Sequence, residues 1–231
     1  MDAYGVHSVR RFLAKELARE GECLSLGSAE SHHLLRVTGI APGEHVELFD
    51  GSGRSCRAEL VSVEGGEAVL RVVTYLETSI PDRNVLLLMA QLRASTMDGV
   101  LRMATELGVS GIQVVQAERC VAQGDKRDRW VRVVTAATGQ CGRADVPVVP
   151  VPVSMEKALS QEQATRLICV PGAPVAPAPD GDVAILVGPE GGFTDAEVSQ
   201  ATAMGWTPVG LGASILRADT AAIAALVRYG S

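Results

Sequence analysis

The sequence is short of aromatic side chains, of positive charge and of long apolar runs. Phenylalanine, tyrosine and tryptophan make up 3% of its 231 residues, so a core must come mainly from aliphatic side chains. No apolar stretch approaches the roughly 20 residues of a membrane-spanning helix. The opening "MDAYGVHSVRRFLAKE" has no apolar run of the kind found in signal peptides. Five cysteines without a C-x-x-C pair offer neither a disulfide framework nor a zinc knuckle. Reduced thiols in a cytoplasmic protein are the expectation. The formal net charge of −6 argues against indiscriminate binding to polyanions, while leaving room for a local basic surface. His32 and His33 have no further ligand at metal spacing, so no metal is expected, and they read as structural or partner-facing.

Glycine, at 24 residues, is well supplied and sits at turns and corners. "HVELFDGSGRSCRAELVSVEGGEAVLRVVTYLE" alternates apolar and polar residues, with Gly51/Gly53 and Gly65/Gly66 at the turns. That pattern predicts a small antiparallel sheet or barrel. "SAESHHLLRV" before it predicts a short helix with Ser28 or Ser31 as its cap. Near Pro81 the texture changes. "NVLLLMAQL" reads as a strand buried on both faces, and strands then alternate with helices to the end of the chain. Alternation of this kind predicts a mainly parallel sheet covered on both sides. The sequence therefore divides into a β domain over residues 1–77 and an α/β domain over 78–231, with "PGAPVAPAPDGD" as a surface loop.

Two glycine-rich corners carry the functional signal. In "ILVGPEGGFTDAEV" a strand runs into Gly-Pro-Glu-Gly-Gly and a helix begins at once. Thr194 and Glu197 are spaced as a capping box, with Phe193 as its staple. Gly191 and Gly192 permit unusual dihedrals and close approach of another group. No Gly-Lys-Ser/Thr follows, so this is not a Walker phosphate loop. In "VGLGASILRADTAAIAAL", Ile215 stands where a dinucleotide fingerprint needs its third glycine. The helix after it is apolar nearly all round, which predicts full burial. Arg217 is the long charged side chain of this corner. Two such corners at neighbouring strand ends make a crevice for a small molecule.

Together, "GPEGGFTDAE", "LGASILRADTA", "MDGVLRMATELGV", "AERC", "QCGRADVP" and the N-terminal "RRFL…HHLLRV…G" resemble the RsmE family of SPOUT RNA methyltransferases, in that family's order and over nearly the whole chain. The resemblance implies a PUA-like RNA-binding β-barrel followed by a trefoil-knotted α/β methyltransferase domain. It implies a homodimer that uses S-adenosylmethionine to methylate N3 of a uridine in 16S ribosomal RNA of the small subunit. Alternatives are another RNA methyltransferase of the same fold or a degenerate ribosome assembly factor. Cofactor binding would fall to Gly188, Pro189, Glu190, Gly191, Gly192, Leu211, Gly212, Ile215 and Leu216, whose backbone is the ligand. The chain departs from the family pattern at Gly39, Ala136, Gly139, Ser214 and Asp219, where arginine or glutamate is usual.

Between Arg119 and Arg143, six lysines and arginines stand against two aspartates. Arg119, Arg129 and Arg132, with Arg10 and Arg11 near the start, are the RNA-binding candidates, because guanidinium matches phosphate bidentately. Methylation at N3 removes the imide proton, which positive charge would favour. Arg217 is the first catalytic candidate and Arg143 the second. No general base is assigned, and neither Cys120 nor Cys141 has an activating partner.

Overall fold

The computed structural model describes residues 10–78 and 83–230. Pro81 falls within residues 79–82, outside the described residues, and the expected boundary after residue 77 lies just before them. Two compact units are present: residues up to 80 together with 138–146, and residues 81–137 with 147 onward. The segment 138–146 is one that a single linear boundary does not anticipate.

The first unit contains β1 (Arg11–Leu13), β2 (Cys23–Ser25), α1 (Ser28–His32), β3 (His45–Phe49), β4 (Ser55–Glu64) and β5 (Glu67–Leu76), in the sheet order β1-β3-β4-β5-β2. The β1/β3 pair is parallel and the others antiparallel. Alternating side chains of β3, β4 and β5 put Val46, Leu48, Leu60 and Leu70 into one aliphatic core with Phe12 and Leu34. Gly65 and Gly66 have φ of 59° and 90°, the left-handed pair that a two-residue hairpin turn requires.

The helix begins at Ser28, but neither serine caps it. Gly27 is the N-cap and makes no side-chain cap bond. Ser31 is buried; its hydroxyl donates to Leu26 O at 2.9 Å and accepts from Ala68 N at 2.9 Å. It ties helix to sheet instead. A π-helical turn, His33–Val37, continues α1. Gly39 follows at φ 67°, a left-handed conformation that disfavours residues carrying a Cβ. The ring of His33 meets Phe12 edge-on at 5.4 Å, a structural role.

The second unit holds β6 (Val85–Ala90), α2 (Ala94–Glu106), β7 (Gly111–Gln116), α3 (Arg127–Cys141, its last turn belonging to the first unit), β8 (Val153–Ser154) and α4 (Met155–Leu159). It continues with β9 (Thr165–Cys169), β10 (Val183–Val187), α5 (Asp195–Ala203), β11 (Thr207–Val209) and α6 (Ala218–Tyr229). Its sheet has the order β11-β9-β10-β6-β7-β8 and every pair is parallel. Strand β10 lies inside that sheet and is buried at all five residues, as its unbroken apolar run requires. Trp206, 1% exposed, fills the core beside Leu88, Leu159 and Ile168; its indole N–H donates to Leu159 O at 3.0 Å. Among the described residues, no helix is long and apolar enough to cross a membrane.

The last helix corrects an expectation. Ala222, Ala225, Leu226 and Tyr229 of α6 are buried, but Val227 is 57% exposed. One face is thus open, although the sequence there is apolar nearly all round.

Gly210, between β11 and α6, sits in the tightest backbone crossing. A Cβ built on it would lie 2.0 Å from Ala173 O. Its N–H donates to Pro174 O at 2.9 Å, and its carbonyl accepts from the buried Tyr229 hydroxyl at 2.8 Å. Only the absence of a side chain lets the segment after β11 pass the loop after β9. Gly99, in contrast, is a helical glycine of α2 with open space around its Cβ position. Gly99→Ala should stabilise by about 0.5–1 kcal/mol, whereas Gly210→Ala should destabilise by about 1–3 kcal/mol, since backbone must move. Chemical denaturation of both variants checks the pair; equal stabilities would refute the crossing.

Candidate active site

Strands β11, β9 and β10 are neighbours running in the same direction, and the chain leaving each carboxyl end borders one cleft of about 340 Å³. Val170 and Pro171 come from the loop after β9, residues 188–192 from the corner after β10, and residues 211, 212 and 214–216 from the corner after β11. Crevices outside the carboxyl ends of parallel strands are where open α/β sheets hold ligands. The volume lies in the range of small-molecule sites. All nine residues that the sequence marks at the two corners line this cleft.

The two central glycines have different jobs. Gly192 has φ 67° and open space where a Cβ would be, so it supplies the turn. Gly191 lacks a positive φ; a Cβ there would meet the Arg119 side chain at 3.3 Å. The dihedral requirement expected of both thus belongs to Gly192, and Gly191 makes room for an arginine stem.

A clamp from outside the corner fixes its shape. The capping box forms as the sequence predicts, with Thr194 N donating to Glu197 Oε2 at 2.8 Å and Glu197 N to Thr194 Oγ1 at 3.2 Å. Glu197 is only 7% exposed, and its second oxygen accepts from Glu118 N at 2.8 Å. Next to Glu118, Arg119 Nη1 donates to Gly191 O at 2.9 Å and Phe193 O at 3.3 Å. The "AERC" loop after β7 is thereby stitched to the Gly-Pro-Glu-Gly-Gly corner. Read locally, Glu197 is a helix cap; its tertiary bond is the part that spacing could not reveal. Phe193 and Val198 pack on the same core, in keeping with a hydrophobic staple.

The charged candidates scatter. Arg217 is the N-cap residue of α6; its side chain is 81% exposed, with Nε 3.5 Å from Asp219 Oδ1, and it is absent from the cleft lining. Arg143 belongs to the first unit and is paired with Asp145 at 2.5 Å. Arg11 turns inward: its Nε lies 2.9 Å from Glu47 Oε2, Nη1 donates to Arg143 O at 2.8 Å, and the guanidinium stacks over Phe49. The Nε contact is ionic only, because its geometry leaves that N–H without an acceptor. Arg11 is therefore a packing residue in the first unit rather than an exposed contact. Arg129 forms a bidentate pair with Asp98, while Arg10 and Arg132 are exposed. Arg119 lines the cleft itself. The basic segment thus offers fewer uncommitted cations than its composition suggests.

Cys169 also lines the cleft, and burial pushes its thiol up to about 12. Burial raises the Cys120 thiol too. Both stay protonated near neutrality and are poor nucleophiles.

Residues 79–229 match the RNA methyltransferase domain family, and residues 26–73 the RNA methyltransferase PUA domain family. A ribosomal RNA small subunit methyltransferase E of Synechocystis is 33% identical over 89% of this chain and 72% of its own. The chain belongs to the ribosomal RNA small subunit methyltransferase E family. The crystal structure of such an enzyme from Neisseria gonorrhoeae bound to S-adenosyl methionine has a TM-score of 0.89 and 32% identity, covering 95% of both chains. A methyltransferase of Legionella pneumophila, in complex with the cofactor SAM, has a TM-score of 0.90 at 28% identity, covering 95% of this chain and 96% of its own. The expected fold class, a PUA-like β unit followed by a methyltransferase domain with a mainly parallel sheet, holds within this family.

Glu197→Gln should destabilise the cleft wall despite conserving volume. Both carboxylate oxygens accept N–H bonds, so one amide NH₂ must face a donor, costing about 1–3 kcal/mol. Urea unfolding measures this; wild-type stability would show that the clamp carries no weight.

Proposed function

We propose that the protein uses S-adenosylmethionine to methylate N3 of a uridine in 16S ribosomal RNA. The observation that carries this reading is the single cleft bordered by both glycine-rich corners, in a chain whose relatives in the Neisseria and Legionella structures hold S-adenosylmethionine. The residues present fit that group. Residues 188–192 offer backbone, Gly192 leaves the space of its missing side chain open, and Leu211, Ile215 and Leu216 offer apolar surface for adenosine. Ile215 is 85% exposed, and a ligand over it would remove that apolar side chain from water.

When bound, the cofactor supplies a methyl group on a positively charged sulfonium. The chain supplies position and charge. The uracil imide must lose its proton on attack, and a guanidinium beside it stabilises the developing negative charge. Arg217 is the stronger candidate: its side chain is exposed, with only a long contact to Asp219. Arg143 comes second because Asp145 already engages it. N3 must be unpaired to react, so the substrate is single-stranded or locally opened RNA. Exposed Arg10 and Arg132 suit its phosphates, with Arg119 and Arg129 less free to serve. We further propose a cytoplasmic homodimer, in keeping with the family resemblance; sedimentation as a monomer at micromolar concentration would overturn the dimer.

Incubation with 16S ribosomal RNA and labelled cofactor, followed by mass-spectrometric mapping, tests the function. Label on a ribose or another base atom would overturn the N3 assignment. Absence of both transfer and cofactor binding would favour an assembly factor. Arg217→Ala should lower single-turnover methylation about 100- to 1000-fold, as loss of a positioned charge-stabilising group does, with the melting temperature kept. Near-normal turnover would move the role to Arg143.

For RNA binding, Arg132→Ala should weaken affinity at low salt and reduce the salt slope by about one. Arg129→Ala should do less, because Asp98 already neutralises that guanidinium. Equal effects from the two variants would count against this ranking.

A further inference from the structure

Arg119 is held on two sides and open on the rest. Its aliphatic stem lies against Gly191, where any side chain would displace it. Its Nη1 is spent on the carbonyls of Gly191 and Phe193. Nε and Nη2 make no hydrogen bond among the described residues, although the side chain lines the cleft. A guanidinium fixed in this way is pre-organised for one more planar acceptor.

The charges around it identify that acceptor. Among the residues lining the cleft, Arg119 is the one cation, while Glu190 and Asp195 are carboxylates. S-adenosylmethionine carries a sulfonium, an ammonium and a carboxylate, so its net charge is opposite to that of the site. Two carboxylates suit its two cationic centres. A lone arginine in the same cleft would repel both unless it met the ligand's own negative group. Resting on the cofactor reading above, we propose that Arg119 recognises the carboxylate at the amino-acid end of the cofactor, and that Gly191 is glycine so that this arginine can lie across the corner. The role replaces direct RNA contact as the main task of Arg119. Charge-assisted bonds from an arginine to a carboxylate are short and roughly twice as strong as neutral ones, so the effect is measurable.

The test is calorimetric and needs no turnover. S-adenosylhomocysteine and its decarboxylated analogue, which lacks only the carboxylate, are titrated into the wild type, Arg119→Met and Arg119→Lys. Methionine keeps a stem to cover Gly191; lysine keeps the charge. The wild type should prefer S-adenosylhomocysteine by about tenfold to a hundredfold, as expected for a hydrogen bond to a charged group. Arg119→Met should erase that preference by weakening S-adenosylhomocysteine alone, and Arg119→Lys should restore part of it. A parallel loss for both ligands would overturn the proposal and reduce Arg119 to a brace of the corner. Unchanged affinity for both, with weaker RNA binding, would assign the guanidinium to phosphate instead. A wild type that binds neither ligand would overturn the cofactor reading itself, an outcome distinct from either failure of Arg119.

Discussion

One buried carboxylate fixes the wall of the cleft. Both oxygens of Glu197 are occupied, one by the N–H that opens its own helix and the other by the N–H of Glu118. The first bond is local and would form in an isolated helix start. The second reaches across the fold and pins the loop after β7 to the corner after β10. Without it, the run from Gly188 to Phe193 would have few anchors, because glycines and a proline bring little packing of their own. A wall with three glycines between residues 188 and 192 needs such an outside hold, since glycines have no side chains with which to brace it.

The second hold is steric. At Gly210 two backbone segments pass with no room for a methyl group, and Tyr229 caps the crossing with its hydroxyl. The loop after β9, the corner after β11 and the end of α6 are therefore fixed as one piece. Shape in this half of the cleft comes from exclusion, whereas in the other half it comes from a carboxylate. The pocket's residues can accordingly be glycine, alanine and serine without the pocket becoming soft.

Much of this was legible in the sequence. The unbroken apolar run of β6, the Gly65-Gly66 hairpin and the Thr194–Glu197 box each rest on neighbours close in the chain, and each is found. What escaped depended on distant partners. Ser31 reads as a cap, but its hydroxyl serves Ala68, 37 residues away. Arg11 and Arg129 read as surface charge, but Glu47 and Asp98 claim them. The short β8 and α4 in "VSMEKAL" carry too few residues for a period to show. The exposed side of α6 could not be told from a buried one, since the run from Ala221 to Val227 is apolar throughout.

The clamp at Glu197 has a consequence for the order in which the chain assembles. Its bond to Glu118 closes a span of 79 residues, and that of Arg119 to Gly191 a span of 72; the β4–β5 hairpin closes across two. Long closures cost more chain entropy, and non-local pairings slow folding. These separations predict that the hairpin forms before the wall of the cleft closes. A ligand that recognises only the finished wall draws the population toward it by mass action. On that order a chain would gain its secondary structure before its affinity for a ligand of the cleft.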